Sequence, residues 1–480
     1  MAENSAQPNM QPLVMKFGGT SVGSAEAITQ AVNIVTSYHA EYPQLVVVAS
    51  AMSGITNQLL ACARDAADGN WKSYTQGISS IESTHMDTIS ALALSDGKRQ
   101  ALMADIQAII KQLRNYCASI ETMGEVTTRG LDAIASLGER MNVRQIAALL
   151  DEQGFACRTI EADEIIITDA AYQNARPLRE QTRKRTRAVL DPLLKAGVIP
   201  VVTGFIGATE KGVTTTLGRG GSDYSAAILG DCLDAQAVWT WTDVDGVMTA
   251  DPRIVPDARV IERLSFDEVS EMAYFGAKVL HPKTMRPLIE RNIPLWVKNT
   301  FNPDHPATCI SNQPSQTFGK LSCVTAIRDV SLVTVRGKGM LGVPGVAART
   351  FSAVADRNAS VLMISQSSSE QSICFVIPSA DQAEVITSLE VELAYELERG
   401  DIDAVHATPD VVIVTGIGAG MRRTPGVSAK IFSAVGAKDI NIIAIAQGSS
   451  EYSISLVVDK KDADLTVRQI HTEVIINGNQ

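Results

Sequence analysis

"LVMKFGGTSVGSAEAI", residues 13–28, joins an apolar run to a helix-like stretch through a pair of glycines. Leu13–Phe17 reads as a strand, Gly18 and Gly19 as a turn, and Ser24 as the N-cap of the helix that follows. Glycines let backbone N–H groups come close to an anion, and a helix N-terminus adds a favourable dipole. The lysine precedes the glycines, however, whereas in the P-loop G-x-x-x-x-G-K-[ST] it follows them. Lys16 is therefore either an exposed lysine before a plain glycine turn or a phosphate ligand held in a different geometry.

Outward from this unit the alternation of strand and helix continues. Leu45–Ala49, Val198–Thr203, Ala237–Thr242 and Ile293–Val297 are further apolar runs of strand length. Between them, stretches such as "ALMADIQAIIKQLRNYCASI" (101–120) repeat apolar residues at helical spacing. The pattern predicts an α/β fold with a mainly parallel sheet sandwiched by helices. Residues from about 57 to 125 carry almost no strand signal and read as a mostly helical insertion. A chain of 480 residues exceeds one compact core, so two to three domains are expected. The Pro-, Asn- and Ser-rich stretch 298–320 is the candidate boundary. The expected division is a loose tail (1–12), an α/β domain (13–304), a linker (305–329) and two small modules (330–400 and 405–480).

The two modules follow from an internal repeat. "VPGVAARTFSAVADRNASVLMISQSSSEQSI" begins at Val343 and "TPGVSAKIFSAVGAKDINIIAIAQGSSEYSI" at Thr424, a constant offset of 81 residues without a gap. Pro344 matches Pro425, Phe351 matches Phe432, Gln366 matches Gln447 and Glu370 matches Glu451. Each copy reads strand, Pro-Gly loop, helix, strand, polar turn, strand, the pattern of a small α/β unit that stacks on its neighbour.

Composition excludes several classes. Lys+Arg 42 against Asp+Glu 53 leaves a net charge of -11, which disfavours general binding to nucleic acid or acidic membranes. The 7 cysteines are scattered with no C-x-x-C pair, as expected of reduced thiols in a cytoplasmic protein. The 6 histidines show no metal-binding spacing. No apolar run has the length of a membrane span, and "MAENSAQPNMQP" lacks the order of a signal peptide.

Further motifs weigh on the opening question. "TTTLGRGGSDYSAAIL" (214–229) is a second glycine loop feeding a helix, carrying Arg219, Ser222 and Asp223. A guanidinium suits bidentate binding of a carboxylate, while Asp223 also fits plain helix capping. Glu139 opens the helix of "SLGERMNVRQIAALL" (136–150), where a carboxylate is at home as a cap or as the partner of an ammonium group. "SAMSGITN" (50–57) follows the strand Leu45–Ala49, which puts Ser50 and Thr56 at the strand end where ligands collect in parallel sheets. "WTWTDVDGVMTADPR" (239–253) and "FGAKVLHP" (275–282) add Thr242, Asp243, Arg253 and Lys278. "RGKGMLG" mimics a dinucleotide fingerprint through Gly337, Gly339 and Gly342, but its next strand ends in Ser365-Gln366 rather than an acid for a ribose. "RKRTR" (183–187) reads as the solvated face of a helix.

Taken in order, KFGGTSV, the S-x-x-x-G-I-T-N loop, the Gly-Glu helix, G-R-G-G-S-D, W-T-D-V-D-G and F-G-A-K-V-L-H-P closely resemble the aspartate kinases of the amino-acid kinase superfamily. The repeated modules look like the tandem ferredoxin-like ACT domains of these enzymes. The resemblance implies ATP-dependent phosphorylation of the β-carboxylate of L-aspartate, the first step of lysine, threonine and methionine biosynthesis. It implies feedback inhibition through the ACT modules and ATP with Mg²⁺ as cofactors. Lys16 would reach the ATP phosphates, with Gly18, Gly19 and Ser21 approaching through the loop, and Asp223 would orient Lys16 or the waters of the metal. Arg219 would clamp the α-carboxylate of aspartate, Glu139 would receive its α-ammonium, and Ser50, Thr56 and Ser222 would complete the pocket. Thr242, Asp243, Met248, Arg253, Lys278 and Val279 would line the nucleotide site; at Met248 some relatives carry tyrosine.

No direct protein ligand to the metal is expected. Gln366 and Gln447 would meet an amino-acid effector, with threonine the first choice and lysine the second, in a homodimer or larger homo-oligomer. No homoserine dehydrogenase portion follows Gln480, so a monofunctional enzyme is expected. The alternatives are a catalytically silent ACT-based sensor and a kinase for glutamate or acetylglutamate.

Overall fold

A computed structural model describes residues 11–277, 280–313, 321–338, 345–366 and 372–477. The chain opens with β1 (Leu13–Phe17), α1 (Ala25–His39) and β2 (Leu45–Ala49). Five helices follow without an intervening strand: α2 (Ile55–Ala67), α3 (Trp71–Ala91), α4 (Asp96–Met123), α5 (Thr128–Ala135) and α6 (Leu137–Glu152). Then come β3 (Cys157–Ile160), β4 (Ile167–Thr168), α7 (Arg179–Lys195) and β5 (Ile199–Thr203). The hairpin β6 (Ile206–Thr209) and β7 (Thr214–Thr216) leads into α8 (Gly221–Leu233) and β8 (Ala237–Thr242). After β9 (Arg263–Ser265) and α9 (Phe266–Tyr274), the chain forms α10 (Pro282–Arg291), β10 (Leu295–Asn299) and β11 (Thr308–Ser311).

The described residues up to Val247, with Leu280–Asn312, make one compact unit; the segment after Met248 and the chain beyond Gln313 make another. In the first unit the strands lie in the order β3-β5-β2-β1-β8-β10-β11. They are parallel from β3 to β10, and β11 runs antiparallel at β10. Every residue of β1 and β2 is buried, as in strands covered on both faces. Phe17 stacks on Trp241 with ring centroids 6.0 Å apart. One hydrophobic cluster runs from β1 and α1 through the helical stretch, taking in Ile78, Ile106, Leu113 and Ile146.

The expected strands are present, two of them shifted along the chain to Ile199–Thr203 and Leu295–Asn299. Proline at 200 and 294 blurs the start of both runs. The four-residue edge strand Cys157–Ile160 carries only one fully buried side chain, so its sequence shows no apolar run.

The second unit is built on two long strands, β12 (Cys323–Arg336) and β15 (Ala404–Ile417). Between them lie α11 (Val346–Ala355), β13 (Met363–Gln366), β14 (Ser372–Pro378), α12 (Gln382–Glu392) and α13 (Ala394–Arg399). After β15 come α14 (Val427–Gly436), β16 (Ala444–Gln447), β17 (Ser453–Asp459) and α15 (Ala463–Ile470). The sheet order is β13-β14-β12-β15-β17-β16, antiparallel throughout. The two repeats are thus joined along the β12–β15 ladder, which breaks register near Asp329. Each long strand serves both repeats: Val405 and Ala407 of β15 pack on the first core, and Val412 and Val414 on the second.

Residues 248–277 fold with this unit. The buried carboxylate of Glu268 accepts from the N–H and hydroxyl of Ser265, from Ser322 Oγ and from the N–H of Ala419. Gly337 has a structural use, since a side chain there would collide with the backbone of Asp401 and Ile402. Burial raises the thiols of Cys62, Cys117 and Cys232, the first to about 11. Among the described residues no helix is long and apolar enough to cross a membrane.

Candidate functional site

Beyond the carboxyl ends of β1 and β2 the first unit holds a cavity of about 770 Å³. Its walls are the β1–α1 glycine loop, the β2–α2 loop, the α5–α6 corner and the β7–α8 loop. This is where a parallel sheet gathers ligands, because the loops there are free of strand hydrogen bonding.

Lys16 is the only charged residue of β1, and its side chain is almost wholly buried. Its Nζ lies 2.7 Å from Asp223 Oδ1, in the first turn of α8. The Gly18 N–H donates to the carbonyl of Trp241 at 3.0 Å, which binds the glycine loop to the end of β8. At Gly19 a Cβ would stand 3.1 Å from the Ala51 carbonyl, so a side chain there would press the two loops apart by a few tenths of an ångström. Lys16, Gly18, Gly19, Ser222, Asp223 and Thr242 all line the cavity, so the two glycine-bearing loops converge on one space.

Facing them are Ser50, Thr56, Glu139 and Arg219. Glu139 is 3% exposed, and burial pushes its carboxyl up to about 8 against the opposing pull of the Ala51 N–H. Its Oε2 has no hydrogen-bond partner among the described residues. A buried, half-satisfied carboxyl group at a cavity wall is set to receive a cation. Arg219 is exposed at the same cavity and forms no salt bridge among the described residues. Its loop is held by Asp132, a buried acid that accepts from the N–H of Gln173 and from the N–H and hydroxyl of Thr216. Asp132 carries no sequence signal, because its partners lie 41 and 84 residues away.

Other expected site residues stand elsewhere. Ser21 faces inward: its hydroxyl donates to the Trp241 carbonyl and accepts from Thr300 Oγ1 at 2.7 Å, so it braces the loop instead of lining the cavity. Asp243 is exposed and accepts from Thr242 Oγ1. Met248 and Arg253 belong to the second unit, where Met248 pairs with Val260 and Arg253 forks onto the Asp251 carboxylate. Lys278 and Val279 lie outside the described residues.

Gln366 and Gln447 sit at the exposed ends of β13 and β16. Around Gln447 is a hollow of about 340 Å³ lined by Arg423, Thr424, Pro425 and Glu451. The Arg423 N–H donates to Glu451 Oε2 at 2.7 Å, closing one side of it. The corresponding turn of the first repeat, with Glu370 and Pro344, lies outside the described residues. Among the described residues no cluster of three or more His, Cys, Asp or Glu could hold a metal ion.

The amino acid kinase family profile matches residues 11–299, and the ACT domain profile matches 333–393 and 414–474. The chain is 36% identical over 97% of its length to a bifunctional aspartokinase/homoserine dehydrogenase of Haemophilus influenzae, covering 56% of that protein. It spans about half the length of several such bifunctional relatives. With aspartokinase 2, chloroplastic, of Arabidopsis thaliana it shares 34% identity over 96% of this chain and 83% of the relative. The structure of E. coli aspartokinase III in complex with aspartate and ADP superposes with a TM-score of 0.77 at 29% identity, covering 97% of this chain and 100% of that one. The same enzyme with lysine and aspartate gives a TM-score of 0.77 over 96% of this chain and 99% of the other. With a glycine-loop cavity on the parallel sheet of its first unit and paired ACT repeats in its second, the chain belongs to the amino acid kinase family, among the aspartokinases.

Proposed function

We propose that this chain transfers the γ-phosphoryl group of ATP to the β-carboxylate of L-aspartate. The observation that carries the reading is one cavity with two chemistries. Lys16 and the Gly18–Gly19 loop supply a cation and a wall free of side chains, while Glu139 supplies a carboxyl whose Oε2 has no partner and Arg219 a guanidinium with no salt bridge among the described residues. An amino acid carries the complementary pair, an ammonium and a carboxylate. E. coli aspartokinase III, described with aspartate and ADP, supports the assignment.

The acceptor carboxylate, whose ordinary pKa is ~3.9, is ionised at neutral pH and needs no general base. Catalysis then consists of alignment and charge neutralisation. Lys16 meets the charge on the transferred group, and Asp223 fixes the ammonium by its 2.7 Å contact. Ser50, Thr56 and Ser222 complete the acceptor side, and Thr242, which lines the same cavity, stands on the nucleotide side. Mg²⁺, when bound, would shield the phosphate oxygens of the nucleotide that carries it.

The ACT repeats receive an amino-acid end product, threonine before lysine, at Gln447 and Gln366. The hollow beside Gln447 supports a site there, and the relative described with lysine supports an amino acid as the ligand. A side-chain amide offers a donor and an acceptor to an ammonium and a carboxylate. The effector must favour an inactive arrangement over the active one, with a homodimer or larger assembly as the unit that responds.

The test is ATP turnover with aspartate, glutamate and N-acetylglutamate as acceptors, with and without threonine or lysine. Turnover restricted to aspartate is expected. Preference for another acceptor overturns the substrate, and silence with all three leaves an amino-acid sensor.

A further inference from the structure

Helix α3 has no part in the cavity chemistry described so far, yet its His85 is linked through α6 to the β2–α2 loop that carries Ser50. Helix α6 presents Glu139, Asn142 and Gln145 at spacings of three, which sets them along one side of the helix. Glu139 takes the Ala51 N–H. One turn on, Asn142 Nδ2 donates to the Ser50 carbonyl at 2.6 Å. A further turn on, Gln145 Nε2 lies 3.7 Å from Met52 Sδ and 3.0 Å from His85 Nδ1. His85 comes from α3, inside the helical run, and all three of Asn142, Gln145 and His85 are fully buried. Three consecutive residues of the β2–α2 loop, 50 to 52, are thus each held by one rung of α6.

Such an arrangement is costly for packing alone. Asn142 Oδ1, Gln145 Oε1 and His85 Nε2 are buried without partners among the described residues, and apolar side chains of the same size would avoid that loss. The helix also approaches the loop so closely that a Cβ at Gly138 would stand 2.8 Å from Ala51 Cβ. Polar groups retained at such a cost act by fixing a geometry, and the geometry they fix is that of Ser50 and its neighbours.

We infer that Asn142, with Gln145 and His85 behind it, is a positioning residue for the acceptor loop, and that α3 serves to buttress that loop. The inference rests on the reading of the cavity as an aspartate site only for its kinetic consequence. Without the Asn142 amide, the Ser50 carbonyl loses its buried donor and the loop samples other conformations. The acceptor should then suffer more than ATP, because the glycine loop, though it touches Ala51, has a further anchor in the bond from the Gly18 N–H to the Trp241 carbonyl.

The experiment uses the full chain and the variant Asn142→Ala with two readouts. Hydrogen–deuterium exchange compares the amides of residues 50–57 with those of α6 and β2; faster exchange confined to 50–57 is expected. Steady-state kinetics should show the aspartate KM raised about tenfold, with the ATP KM within about twofold. Unchanged exchange in 50–57 overturns the positioning role whatever the substrate is. Selective exchange with no aspartate turnover even in the wild type keeps the positioning role and sinks the substrate reading instead. Equal losses for both substrates, together with exchange raised throughout the unit, reduce Asn142 to a packing residue and overturn the inference. Should Asn142→Ala not fold, Gln145→Met, which keeps volume beside Met52, is put through the same measurements with the same criteria.

Discussion

Glu139 is expected to make aspartate binding pH-dependent in a range where aspartate itself does not titrate. Its carboxyl is pushed up to about 8 by burial at the cavity wall, so near pH 7 the protonated form outnumbers the ionised one by about ten to one. An arriving ammonium group selects the ionised form. Apparent affinity should therefore improve by about ninefold from pH 6 to pH 7 and by about fivefold from pH 7 to pH 8, levelling off above that. Binding at pH 7 should release close to one proton per site, which calorimetry in two buffers of different ionisation enthalpy measures directly.

The same group has an opposite effect on the stability of the empty protein. Between 4.5 and about 8 the folded chain holds a proton that the unfolded chain has lost, so stability falls as pH rises through that window, by up to roughly 4–5 kcal/mol. Glu139→Gln should flatten both profiles while weakening aspartate at high pH. A wild-type affinity that stays level from pH 6 to pH 8, with no proton released, would refute the assignment of Glu139 as the ammonium partner.

Three further outcomes are expected. Lys16→Ala should lower kcat on the order of 10²–10³-fold with a smaller effect on the aspartate KM, because its interaction strengthens with the transferring charge; near-normal turnover in a folded variant contradicts that role. Arg219→Lys keeps the charge but loses the fork, so the aspartate KM should rise about tenfold while the ATP KM changes little, and a parallel rise in both points to a collapsed loop. His85 is held down to about 4 by burial, so its contribution to stability is complete above 6.5 and is lost as pH falls from 6.5 towards 4, by roughly 3 kcal/mol in all. Between pH 6.5 and pH 4 denaturant titrations should show wild type losing roughly 3 kcal/mol relative to His85→Phe, and parallel curves would show that His85 is not buried neutral.

Leu13–Phe17, Leu45–Ala49 and Ala237–Thr242 could be read from the chain because a buried parallel strand is apolar along its whole length, and that is a local property. The glycine loops were legible for a related reason: a turn that brings backbone against an anion or another loop excludes side chains at fixed positions. The constant offset of the C-terminal repeat likewise needs no structure to be seen. What the chain could not reveal is which distant groups complete these local pieces.

The hydroxyl of Ser21 in the glycine loop has its partner in Thr300, 279 residues away, which no local pattern announces. Asp132 and Asn142 are ordinary helix residues until the strand end at Thr216 and the carbonyl of Ser50 come within hydrogen-bond reach. The segment 248–277 sits between two motifs of the first unit yet folds with the second, because Glu268 finds its partners at Ser322 and Ala419. Periodicity, glycine placement and repetition act between near neighbours and are written in the order of residues. The satisfaction of buried polar groups is decided only when packing brings remote segments together, since a donor or acceptor shielded from water must take whichever partner the fold supplies.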